Sequence, residues 1–185
     1  VGAHRGLFAA YALQEGCSAV LAYEPEPANF AFLERNVQNF SKEGQTVRAY
    51  PQAVGSRKGT TQFFVYDQSW SHSVMVRTDR TPVAEMNVEQ AAFEHILAAA
   101  SEQAEGRRRI IVKIDAEGIE YDVLLNTPPA ALAQIDELFV ETHTYASGKP
   151  SMLVEHLAAG GLRNTAPLPV AEDVHAVLHF ARAKA

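Results

Sequence analysis

The chain has 185 residues, 47% of them hydrophobic and 21% charged, with a formal net charge of −6. That length suits one domain with a substantial core and is too short for two of ordinary size. No apolar run approaches the roughly 20 residues of a membrane span, and the acidic balance disfavours a general phosphate-backbone binder, whose affinity rests on Lys and Arg.

The basic run Arg107-Arg108-Arg109 stands just ahead of an apolar stretch and reads as a solvated strand entry. A single cysteine, Cys17, rules out an internal disulfide framework and fits a reducing compartment, so a cytoplasmic location is expected. Val1-Gly2 reads as the end of a strand meeting a glycine turn, with no secretion signal; the rest of that first strand is expected upstream.

In chain order, Leu7 to Gln14 predicts a helix that offers Leu7, Phe8 and Tyr11 to one face and stops at Gly16. Ser18 to Tyr23 predicts a short strand. Pro27 then opens a helix in which Phe30, Leu33, Val37 and Phe40 recur at helical spacing. A third strand is expected over Thr46 to Val54, a turn over Gly55 to Gly59, and a strand over Thr60 to Tyr66. Asp67 to Arg80, with Ser69, Trp70, Ser71, His72 and Ser73, has no periodicity and reads as a surface loop that could cover a site.

Asn87 is the expected N-cap of a helix carrying Phe93, Ile96, Leu97 and Ala100, which ends before Gly106. Arg109 to Asp115 reads as a strand buried on both faces. A helix over Ile119 to Leu125, a Pro128-Pro129 break, a strand over Glu137 to Thr142 and a helix over Met152 to Ala159 follow. Two final strands, Arg163 to Pro167 and Val174 to Ala181, have no helix between them and should pair antiparallel. Strands alternating with helices predict an α/β fold with a parallel sheet.

Ligands of open α/β sheets bind beyond the carboxyl ends of the strands. Gly2 to Gly6 would let the backbone turn tightly toward a ligand at the next helix N-terminus. Glu24, at the tip of the adjacent strand, could accept both hydroxyls of a ribose; its bland alternative is to cap the next helix. A dinucleotide fingerprint counted from Gly2 fails twice, at His4 and Leu7. A nucleoside cofactor without a pyrophosphate does not need those glycines.

The segments VGAHRG, YEPEPANFAFLERNV, AVGSRKGT and VKIDAEGIEYDVL, in that order and spacing, resemble the FkbM family of S-adenosylmethionine-dependent methyltransferases over Val1 to Leu125. The resemblance implies a class I methyltransferase (Rossmann-like) fold: seven strands in one mostly parallel sheet, the last antiparallel, in a single domain. It also implies O-methylation of a hydroxyl on a sugar, glycan or other secondary metabolite. By position, Gly2, Ala3, His4 and Gly6 would flank the amino-acid part of the cofactor. Glu24, with Pro25 beside it, would hold the ribose, and Gln52 and Ala53 would lie by the adenine. Asp115 would face the cofactor's methionine part or the acceptor. Apart from the resemblance, Ser73, with Ser71 and His72, could close over the cofactor or substrate or simply be an exposed polar loop. The chain departs from the family in having His4 where Asn is usual, and Met86-Asn87 where a Leu-Asp pair is usual.

Methyl transfer from a sulfonium needs alignment above all, and a sugar hydroxyl also benefits from a base or a metal. Asp115, Glu117, Glu141 and His143 stand at adjacent strand ends. His143 is the expected base, oriented by Asp115 or Glu141. The same four residues could instead hold Mg²⁺ or Mn²⁺, but no metal is assigned. Glu117 could simply favour a helix start, and Glu120 and Asp122 read as the solvated helix face. His95, His156, His175 and His179 read as structural or exposed. Trp70 and Tyr145 are candidates for a sugar-stacking wall. The competing classes are a Rossmann-type oxidoreductase and a non-catalytic module of the same fold.

Overall fold

A computed structural model describes residues 1–104, 109–143, 146, 148–168 and 175–183. The chain divides into two compact units. One comprises Val1–Ala53 and Gly59–Gln90, the other Val54–Lys58 and Ala91–Ala185.

The first unit opens with helix α1 (Leu7–Gln14), strand β1 (Ala19–Tyr23), helix α2 (Pro27–Phe40) and strand β2 (Thr46–Tyr50). β1 and β2 pair in parallel from Ala19↔Thr46 to Tyr23↔Tyr50, which requires the crossover that α2 provides. Pro27 starts α2 where its missing N–H costs nothing, and Glu26 caps it by accepting from the N–H groups of Ala28 and Asn29. Leu33 and Val37 then pack with Ala9 and Ala22. A fully buried leucine such as Leu33 contributes about 1.5–3 kcal/mol.

The expected face of α1 is reversed. Leu7, Phe8 and Tyr11 are exposed, while Ala9, Ala10 and Leu13 are buried, because small side chains let α1 come close to α2. Gly6 belongs to that approach: its φ is +83°, and a Cβ there would stand 2.7 Å from Leu33 Cδ1.

The third predicted strand is two strands. Pro51 cannot donate to a ladder, so pairing with β1 stops at Tyr50 and a separate strand, β3 (Ala53–Gly55), follows. Strands β4 (Gly59–Val65) and β5 (Ala84–Ala92) pair antiparallel from Gly59↔Gln90 to Val65↔Ala84. Ala53, Phe63 and Val88 form their core. Asn87 therefore lies within β5, opposite Gln62, and caps no helix: Val88 alternates inward beside it, so the segment is taken into the sheet.

In the second unit, helix α3 (Phe93–Gln103) buries Phe93 and Leu97 as the stripe predicts, but its N-cap is Ala92, without a side-chain cap. Strand β6 (Ile111–Ile114), helices α4 (Glu120–Leu125) and α5 (Pro129–Leu132), strand β7 (Glu137–Thr142), helix α6 (Pro150–Ala159) and strands β8 (Leu162–Asn164) and β9 (Ala176–Arg182) follow. The sheet order is β6-β7-β9-β8, with β6 and β7 parallel and β9 antiparallel to both of its neighbours. Leu138, Val140, Leu153, Leu157, Leu162 and Phe180 are fully buried. β6 is not buried on both faces as expected: Ile111 is 45% exposed and only Ile114 is buried.

The fold is thus mixed α/β. Among the described residues the strands fall into sheets of two, three and four, which differs from one continuous sheet of seven. Arg109 pairs with Glu137 at 2.7 Å, as a strand entry would. Arg107, Arg108, Gly106, Tyr145 and Val174 lie outside the described residues.

Candidate active site

Two segments hold residues in left-handed backbone where a side chain is unusual. His4 (φ 49°) and Glu117 (φ 53°) are the non-glycine residues with positive φ among the described residues. Each belongs to one of the strand-end turns singled out by the sequence.

In the first unit, Gly2 (φ 67°), His4 and Gly6 bend the chain between Val1 and α1. Ala3 donates its N–H to the Tyr23 carbonyl at 2.9 Å, and Gly6 donates to the Ala3 carbonyl at 2.8 Å. The bend turns the His4 N–H onto Glu24 Oε2 at 2.8 Å, while the Glu26 N–H reaches Oε1 at 3.0 Å. Because Glu26 caps α2, Glu24 is free of the capping role. Its carboxylate is buried at the tip of β1 beside half-buried Pro25. Burial raises its pKa to about 7, against the lowering effect of the Glu26 and His4 N–H groups.

Tyr23 and Tyr50, paired at the ends of β1 and β2, stack at 4.6 Å. Burial, followed by the neighbouring Tyr50, pushes the Tyr23 phenol up to about 12. Gln52 bonds Glu89 at 2.9 Å, and Ala53 is buried.

The segment expected as a covering loop is folded back on β4. Ser73 and Phe64 exchange both backbone hydrogen bonds, the Ser73 hydroxyl accepts from the Met75 N–H, and His72 Nδ1 accepts from the Tyr66 N–H. Ser71 and Ser73 are buried, whereas Trp70 is exposed. Ser69 reaches the glycine turn: its hydroxyl lies 3.3 Å from His4 Nε2, and its carbonyl accepts from Asn29 at 2.9 Å.

In the second unit, β6 ends at Ile114 and the turn Asp115-Ala116-Glu117-Gly118 wraps around the carboxylate of Glu120. Glu120 Oε1 accepts from the N–H groups of Ala116 and Gly118, each at 3.1 Å. Glu120 is 0% exposed, so the expectation of a solvated face is corrected. Glu120 stands three and four residues before buried Val123 and Leu124, on the same helix face, and the turn closes over its carboxylate. Asp122 is exposed as expected.

The same Glu120 oxygen lies 2.8 Å from Nδ1 of buried His143. A carboxylate oxygen only accepts, so Nδ1 donates. Nε2 then faces Glu117 Oε1 at 3.5 Å and Asp115 Oδ1 at 3.9 Å. Burial lowers the His143 pKa, but hydrogen bonding to Glu117 and Glu120 and their charges overcome it and raise it to about 10. Lys113 Nζ binds Asp115 Oδ2 at 2.7 Å.

Asp115 and His143 are thus brought together, with Glu117 and Glu120. Glu141 is instead closed on His175 Nε2 at 2.8 Å, although the rings of His175 and His143 lie 4.5 Å apart. His179 is structural, stacked on Phe139 and bonded to Glu137, and His156 binds the Thr127 carbonyl. His95 is exposed.

An α/β protein with a buried acid at one strand tip and a carboxylate-histidine cluster at another falls among folds that bind their ligands at strand ends. Residues 1–163 match the Methyltransferase FkbM domain, and the chain belongs to that methyltransferase family. It is also similar to Methyltransferase 1 of Beauveria bassiana (strain ARSEF 2860), at 26% identity over 155 residues, 76% of this chain and 61% of that protein. The chain therefore spans about 61% of the length of the curated relative it matches. No solved structure matches.

Proposed function

We propose that the chain is a single class I methyltransferase domain that binds S-adenosylmethionine and moves its methyl group to a hydroxyl of a sugar, glycan or other secondary metabolite. Parallel pairing in β1-β2 and β6-β7, with an antiparallel last strand, supports that fold. The observation that carries the cofactor assignment is buried Glu24, held at the tip of β1 by the His4 N–H and relieved of helix capping by Glu26. An acid so placed accepts ribose hydroxyls. Gly2, Ala3, His4 and Gly6 take the amino-acid part of the cofactor, Pro25 flanks the ribose, and Gln52 and Ala53 lie by the adenine. Asp115 keeps its cofactor role from the family resemblance, and Ser73, buried beside Phe64 of β4, keeps the role of closing over the cofactor from the polar segment it belongs to.

In the reaction the acceptor oxygen attacks the methyl carbon. The O–C bond forms as the C–S bond breaks, its electron pair stays on sulfur, and the hydroxyl proton passes to a base. Asp115 and His143 form the catalytic cluster. A ring already held protonated cannot take another proton, so in the ion-free cluster a carboxylate beside Nε2, of Asp115 or Glu117, receives it while His143 offsets the charge. Glu141 acts further out, through His175.

The acceptor is a small molecule or glycan. The net charge of −6 speaks against a nucleic-acid partner, and no helix among the described residues is long and apolar enough to cross a membrane. A cytoplasmic location fits the single cysteine.

Incubating the full chain with S-adenosylmethionine labelled in its methyl group and a panel of sugars, glycans and phenols tests this reading. Label should move to at least one hydroxyl acceptor, and substitution of Asp115 should abolish the transfer. Cofactor binding without transfer to any acceptor would instead support a non-catalytic module.

A further inference from the structure

The turn at Asp115 and the ring of His143 are arranged more closely than proton transfer alone requires. Glu120 fixes Nδ1 and is itself fixed by two backbone N–H groups, so the ring has one orientation. In that orientation Nε2 faces Asp115 Oδ1 at 3.9 Å and Glu117 Oε1 at 3.5 Å. One donor atom from each of the three residues lies within 4.8 Å of the others. A tetrahedrally bound ion with bonds of about 2.1 Å sets its ligands about 3.4 Å apart.

A metal-bound imidazole characteristically gives its other N–H to a carboxylate, as His143 gives Nδ1–H to fully buried Glu120. Lys113 occupies Asp115 Oδ2 and leaves Oδ1 toward the ring. With a neutral imidazole, the three carboxylates of Asp115, Glu117 and Glu120 against one lysine leave two negative charges. One divalent cation balances them.

We propose that Asp115, Glu117 and Nε2 of His143 form a site for one divalent first-row transition ion, such as Mn²⁺ or Zn²⁺, with Glu120 as its positioning residue. Two carboxylates and one imidazole leave further coordination positions open. On the methyl-transfer reading, one of these receives the acceptor hydroxyl, whose proton the ion makes easier to lose; ion binding itself does not depend on that reading. The neighbouring set of Glu141, His143 and His175 is the poorer site, because Glu141 is closed on His175 and His175 is exposed.

Titration of the chelator-stripped full chain with MnCl2, followed by electron paramagnetic resonance of free Mn²⁺, and with ZnCl2 by calorimetry, tests the site. The wild-type chain should bind one ion. Glu117→Gln and His143→Ala should weaken binding at least about tenfold, and Glu120→Gln about 10–100-fold. Glu141→Gln and His175→Gln should leave it within about twofold of wild type, the local ligands being unchanged.

Far-UV circular dichroism checks folding, and Glu117→Gln, at a half-buried turn, provides a variant that spares the core. Absence of saturable binding of either ion to the wild-type chain overturns the site. So does loss of binding on substituting Glu141 or His175 while Glu117→Gln binds normally. S-adenosylmethionine titrated into the same samples keeps the two questions apart, since its failure to bind would defeat the cofactor assignment and leave the ion site standing.

Discussion

Glu120 and His143, 23 residues apart in sequence, meet in the interior through a 2.8 Å contact between Oε1 and Nδ1. The pair ties the turn after β6 to the residue after β7. Neither partner is exposed to water that could replace the other. Glu120→Ala would strand the imidazole and two backbone N–H groups in the interior. It should cost about 3–5 kcal/mol of stability, the range for a broken buried pair. Urea denaturation measures the loss; a change under about 1 kcal/mol would place the carboxylate outside the structural core.

The raised pKa of His143 sets the sign of a pH effect. Below about 6.5 the ring is protonated both folded and unfolded, and its contribution to stability is fully present. Between that value and about 10 only the folded state keeps the proton, so stability should fall as pH rises through this window. Wild-type protein should lose stability from pH 7 to 10, and His143→Gln should show a flatter profile. Equal slopes for the two proteins would remove His143 as the source.

Glu24 gives a second pH signature, in binding. Its carboxyl is raised to about 7 by burial, so near neutral pH a share of the molecules carries it protonated. A ribose donating two hydroxyls stabilises the anion, so binding of S-adenosylmethionine should release protons near pH 7 and weaken below it. Calorimetry in buffers of different ionisation enthalpy reads the release. Glu24→Gln should abolish it and weaken binding about 10–100-fold, the equivalent of losing charge-assisted hydrogen bonds worth about 1.5–3 kcal/mol.

Gly6 tests the approach of α1 to α2. Gly6→Ala places a methyl 2.7 Å from Leu33 Cδ1 at a φ of +83° and should lower the thermal midpoint. Gly59→Ala meets nothing within 4 Å and should change the midpoint little. Similar effects from both would show that the close packing at Gly6 does not matter.

Much of this molecule was legible in the sequence, and the misses share a cause. The helix over Leu7–Gln14 follows from its good helix formers and the stop at Gly16, though its buried face does not, and those over Pro27–Phe40 and Phe93–Gln103 follow from apolar spacing and from Pro27. The EP and KIDxEG segments led to Glu24 and Asp115. The charge of Glu120 suggested solvation, yet it shares the buried face of Val123 and Leu124, three and four residues on, and a left-handed turn at Glu117 and Gly118 folds over it. The positive φ of Gly118 was signalled by its glycine; that of Glu117 was not. Asn87 looked like a cap because its chemistry suits one, yet pairing with Gln62 across the sheet decided its place. Glu141 and His175 meet because β7 and β9 lie antiparallel, a register that spacing along one strand cannot reveal.

Glu24 and the glycine turn are proposed to hold S-adenosylmethionine. Calorimetric titration of the wild-type and Glu24→Gln chains with S-adenosylmethionine, S-adenosylhomocysteine and NAD tests this assignment most directly. The wild-type chain should bind the first two and not NAD, and Glu24→Gln should lose most of that affinity. Binding of NAD alone, or S-adenosylmethionine binding untouched by Glu24→Gln, would contradict it.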